Sequence, residues 1–191
     1  MDKFFGNLHR VLLAGVILAI VVAVIRHNDQ IGTHGFWAFV IRWIHVWFGL
    51  LWIGLLYYFN FVQIPSMPKI PDEHKPAIGK VIAPTALFYF RWAAAATVLF
   101  GILTVIMDGH HSAFIFQDGY ATIGIGMWLA LIMAFNVWFI IWPNQKKVLG
   151  LVEADADAKK KAARTAMLAS RTNTLLSIAM LYCMVAQGNV G

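Results

Sequence analysis

Long apolar runs alternate with short polar ones along the whole chain. Five apolar stretches stand out, at about 4–25, 36–62, 83–107, 120–142 and 165–187. Each is long enough to cross a bilayer as a helix, for which about 20 residues suffice. The pattern predicts an all-α integral membrane protein with five transmembrane helices, a single membrane domain over 1–191. Residues 1–35 supply a peripheral first helix and its outer loop, and 36–187 supply an antiparallel four-helix bundle made of spans two to five. The first run follows Lys3 and contains Arg10, as a secretion signal would, but no convincing A-x-A site precedes position 30, so it reads as an uncleaved span.

The polar runs orient the set. Lysines and arginines gather at the N-terminus, in loop 63–82 and in loop 143–164, whereas loop 26–35 offers only Arg26 and loop 108–119 none. An excess of basic residues marks the cytoplasmic side, which places the N-terminus inside and the C-terminus outside. Loop 63–82 holds four prolines (Pro65, Pro68, Pro71 and Pro76) and is expected to be an extended crossing rather than a helix. The segment 149–167, rich in alanine with acids before bases, predicts a helical lead-in to the last span.

The second stretch, FWAFVIRWIHVWFGLLWIGLLYYFNFV, is the most informative. A 3.6-residue period puts Arg42, His45, Gly49, Trp52, Leu56 and Asn60 on roughly one face. Polar groups inside a membrane are costly, so they normally face a bundle interior and mark a working site. Neutral imidazole is a good iron ligand, which makes His45 the candidate metal ligand. Gly49, one turn on, is expected to leave a hollow for a flat ring. The competing reading of His45 is a core histidine bonded to a neighbouring helix. Met127, Met180 and Met184 lie at compatible depths for a second ligand, while His110 and His111 read as solvated loop residues.

Composition adds three constraints. The chain is 60% hydrophobic with a mean hydropathy of +0.70, outside the range of ordinary soluble domains. The net charge of +6 lies almost wholly in loops on one side, so it speaks for a lipid bilayer and not for nucleic acid. One cysteine, Cys183, excludes an internal disulfide and a CxxCH haem-attachment motif. No internal repeat is apparent.

Arg42, Arg91 and Arg171 fall within spans, and no aspartate or glutamate does. A buried charge needs a partner, so the sequence invites an anion from outside the polypeptide: haem propionates, an anionic small-molecule substrate or lipid phosphate. Snorkelling to an interface is the alternative for each, and for Arg42 a loop acid is another. Asn60, Arg91, Asn136, Arg171 and Asn173 share the cytoplasmic half and are expected to form a hydrogen-bonding layer. With no carboxylate base or nucleophilic triad at that depth, redox chemistry on a cofactor fits better than hydrolysis.

Four segments, WIHVWFGLLWIGLLYYFNFVQIP, APTALFYFRWAAAAT, MWLALIMAFNVWFIIWPNQKKVLG and SRTNTLLSIAMLYCMV, resemble the membrane domain of bacterial membrane-bound urate oxidases over about 36–187. A more distant likeness is to the small four-helix membrane protoporphyrinogen oxidases, which bind haem b. The resemblance implies a bacterial inner-membrane redox protein that oxidises urate or a similar anion. It points to Arg91, Arg171, Asn136 and Asn173 for catalysis and to His45 and Trp92 for haem b, beside which Arg42 and Gly49 are cofactor-binding candidates by their place on the His45 face. Urate-oxidising members carry a C-terminal cytochrome c that this chain lacks. The resemblance therefore implies a separate cytochrome c as electron acceptor, or else a non-enzymatic haem- or lipid-binding subunit of a larger membrane complex.

Overall fold

A computed structural model describes residues 2–190. It is helical throughout, with no strand among the described residues. Four helical runs are long and apolar enough to cross a membrane: Leu8–His27 (α1), His34–Lys69 (α2), Lys75–Asp108 (α3) and Ala121–Val148 (α4). The fifth run, Ala156–Ala186 (α5), is the longest single α-helix, with 31 residues. It covers the expected fifth span, but its polar Arg171–Thr174 stretch leaves it short of the apolar content of the other four.

Residues up to 40 and residues from 41 onward form separate compact units. In the first, α1 begins at Asn7, whose side chain accepts a bond from the Arg10 amide at 3.2 Å, and none of its residues is buried. In the second, α2 and α3 run antiparallel, since His45 meets Thr97 while Phe59 meets Phe90. Helices α4 and α5 do the same, with Ile123 bonded to Gln187 and Asn136 to Asn173. Contacts of α3 with α4, and of Asn60 with Ser170 on α5, close the four into a bundle. Its core holds Trp52, Leu56, Phe90, Met133 and Val137, all at most 2% exposed.

Prolines are handled differently from the sequence expectation. Helix α2 runs through Pro65 and Pro68 to Lys69, and α3 starts at Lys75 ahead of Pro76, so only Ile70–His74 separates them. Three π-helical turns, Tyr58–Gln63, Ile78–Ile82 and Asn136–Ile141, each end two residues before a proline: Pro65, Pro84 and Pro143. A proline ring strikes the carbonyl four residues back in an α-helix and leaves it without a donor. The wider π turn accommodates the ring without breaking the helix. Two of these turns begin within a matching stretch, Trp52-Ile-Gly-Leu-Leu-Tyr-Tyr-Phe-Asn60 and Trp128-Leu-Ala-Leu-Ile-Met-Ala-Phe-Asn136, a short repeat that the linear reading passes over.

The lead-in to α5 is helical as expected from Ala156 onward, capped by Asp155 accepting from the Ala158 amide at 2.7 Å. Gly54, in the first of the two matching stretches, is exposed.

Candidate functional site: a histidine-walled cavity

The face of α2 from Arg42 to Asn60 does turn inward at its centre, with Trp52 and Leu56 buried and His45 half-buried. His45 Nδ1 lies 2.8 Å from the Thr97 carbonyl on α3. A carbonyl only accepts, so Nδ1 carries the proton and Nε2 keeps its lone pair. This orientation is the one that metal-binding histidines use: the far nitrogen is tied to a carbonyl, which fixes tautomer and ring. The Thr97 hydroxyl turns back to the Ala93 carbonyl at 2.7 Å and does not compete.

The space for the imidazole comes from Gly101, one turn beyond Thr97. A Cβ at Gly101 would sit 3.0 Å from both His45 Cε1 and Nδ1. At Gly49 a Cβ would meet only Thr97 Cγ2, at an ordinary 3.8 Å. The expectation that Gly49 creates the hollow is thus corrected. The neighbouring helix provides it.

Beside the ring lies a cavity of about 570 Å³, lined among others by His45, Arg42, Asp108, His110, Met127 and Met184. That volume falls within the ~300–1,000 Å³ typical of organic-ligand sites. Besides His45, Thr97 and Thr104, its polar groups, Arg42, Asp108, His110, Tyr120 and Gln187, cluster where α3 and α5 end and α4 begins. Deeper walls are apolar, with Val46, Val98, Ala130 and Leu131. A flat, largely apolar molecule with an acidic edge matches this division.

Arg42 is satisfied within the polypeptide. Its Nη2 lies 2.5 Å from Asp108 Oδ2, and Asp108 is the last residue of α3. Of the readings open for Arg42, the acid partner near the helix end is the one the structure shows, so Arg42 calls for no guest anion. Which acid it meets was not legible, because the two residues are 66 apart in the chain. The Arg42 side chain is 52% exposed, so the pair adds little stability and leaves the guanidinium free to exchange partners.

His110 is the cavity residue that sequence reasoning set aside. Gly109, at φ +71°, ends α3 with a left-handed turn that brings the next residue back over the bundle end. There the His110 ring stands 5.0 Å from that of Tyr120. The Asp-Gly pair closing an apolar run was the available signal.

The expected cytoplasmic layer is not a pool of free donors. Asn136 Nδ2 donates to Asn173 Oδ1 at 2.8 Å, and Asn173 Nδ2 donates to the Met133 carbonyl at 2.9 Å. Asn60 Nδ2 reaches Ser170 Oγ and the Leu56 carbonyl. Arg171 is exposed, on a different face of α5 from the fully buried Asn173. Arg91 leans on Trp142, and Trp92 is exposed against Trp138, away from the cavity lining. Asn136 and Asn173 thus clamp α4 to α5. Asn173→Ala should lower stability by about 1–2 kcal/mol by stranding the Asn136 amide, read as earlier thermal unfolding in detergent.

Among the described residues no three His, Cys, Asp or Glu converge to hold a metal ion on side chains alone. One oriented histidine at a roomy apolar cavity fits a metal carried in a macrocycle instead. A family model described as urate oxidase N-terminal matches residues 92–188, just over half of the 191-residue chain. The match takes in Thr97, Gly101, Asn136, Arg171 and Asn173, while Arg42, His45 and Arg91 precede it. No curated protein and no solved structure matches the chain.

Proposed function

The chain belongs to the urate oxidase N-terminal family, and from that premise we propose that it is a membrane-embedded haem b protein that oxidises urate or a similar anionic small molecule and passes the electrons to a cytochrome c. In this reading five spans cross a bacterial inner membrane with the N-terminus inside. The single observation that carries it is His45: held by the Thr97 carbonyl through Nδ1, given room by Gly101, and lining the cavity.

His45 Nε2 would hold the iron, and the apolar walls around Val98 and Leu131 would exclude water from the macrocycle. Arg42 would turn from Asp108 toward an acidic edge at the polar end, where a charge-assisted, two-pronged bond is available. Bound haem supplies a one-electron acceptor, whose potential the histidine and the dry walls tune. Substrate oxidation releases protons, and Asp108 and His110 at the same end are groups that can take them up.

The test is an absorption spectrum of the purified full chain in detergent, before and after adding haem. A Soret band that His45→Ala removes, together with urate-dependent reduction of added cytochrome c in the wild type, is the expected result. No band in either state would remove the electron route.

A further inference from the structure

At the opposite end of the bundle, two cations share one indole. Arg91 Cζ lies 3.9 Å from the centroid of the Trp142 ring and 5.4 Å from that of Phe88. Lys146, one turn after Trp142, brings Nζ within 5.9 Å of the same ring. Neither cation has a carboxylate within 4.0 Å among the described residues, whose three ion pairs lie elsewhere. Among the described residues, only one of the five N–H donors of Arg91 is engaged, with the Leu87 carbonyl at a long 3.4 Å.

Attraction to the ring face explains why each cation rests there. It does nothing against their mutual repulsion, and it leaves the guanidinium edge without acceptors. A group with a full negative charge and several oxygens would relieve both. The π turn Asn136–Ile141 and Pro143 set where Trp142 emerges, so the platform is built by the helix and not by a mobile loop. Its surroundings fit as well. Lys146 and Lys147 close α4 on the lysine-rich side of the protein, where anionic headgroups accumulate at a cytoplasmic leaflet.

We propose that Arg91, Lys146 and Trp142 form a binding site for a phosphate group, carried by an anionic phospholipid or by a soluble phosphate. Arg91 thereby moves from the substrate layer expected from the sequence to a ligand site at the membrane face, and this assignment does not depend on haem.

The experiment is a native mass-spectrometric titration of the full chain in detergent with phosphatidylglycerol, with diacylglycerol of the same acyl chains, and with inorganic phosphate. Phosphatidylglycerol should be retained and diacylglycerol lost. Arg91→Gln with Lys146→Gln should weaken phosphatidylglycerol binding by about thirtyfold, the effect of two interfacial cations. Lys146→Gln alone, a change at a partly exposed position that spares the helix, should give part of that loss, while Lys160→Gln on α5 should give none. If millimolar inorganic phosphate displaces the lipid, the site serves soluble phosphates too. If it does not, the lipid is the ligand. Equal retention of phosphatidylglycerol and diacylglycerol, or a Lys160→Gln effect as large as that of Lys146→Gln, would overturn the assignment.

Discussion

On the haem b reading proposed above, Gly101→Leu should abolish haem retention with His45 still in place. The Cβ alone would lie 3.0 Å from two atoms of the imidazole, and a leucine adds three carbons in the same direction. The ring cannot retreat without giving up its 2.8 Å bond to the Thr97 carbonyl, which fixes the tautomer that leaves Nε2 free. Gly101→Ala should act in the same sense but partially, because a shift of a few tenths of an ångström relieves it. Gly49→Ala should be silent, since its Cβ meets only Thr97 Cγ2 at 3.8 Å. The measurement is Soret absorbance per mole of protein after loading with haem. Equal loading in Gly101→Leu and wild type would show that the histidine-walled cavity is not where haem sits.

Gly124→Ala should be the most destabilising single-methyl change in the four-helix unit. Gly124 is buried in the first turns of α4, and a Cβ there would lie 2.1 Å from the Ala113 carbonyl oxygen and 3.1 Å from the Phe116 ring. Both belong to the connection between α3 and α4, where His111–Ile115 forms a 3₁₀ turn. A backbone oxygen cannot swing aside as a flexible side chain can, so the turn and the helix must separate. Overpacking of this kind costs about 3 kcal/mol or more, and for a chain of this size that lowers Tm by roughly 10 °C. Gly54→Ala, with nothing within 4 Å of its Cβ, is the matched control. Thermal unfolding of the detergent-solubilised variants checks the pair, and an unchanged Tm for Gly124→Ala would mean that the connection packs differently.

Gly101 and Gly124 also illustrate where the sequence stops being informative. Both are glycines in apolar runs, like Gly49 and Gly54, and nothing local separates the four. What separates them is which backbone or ring comes to rest against each, a contact made from a distant part of the chain.

Much else was legible because its cause is local. Runs of twenty or more apolar residues become helices, since in lipid a backbone must satisfy its own hydrogen bonds. The period of 3.6 residues was enough to put Trp52, Leu56 and His45 on the inward face of α2. The same local rules misjudged the prolines of 63–82, because a π turn is a cooperative adjustment of the preceding helix that residue preferences do not encode. Tertiary structure alone decided that Arg42 meets Asp108 and that Asn136 is taken by Asn173. Each joins residues far apart in the chain, and their partners are chosen by how the helices pack rather than by any neighbour in sequence.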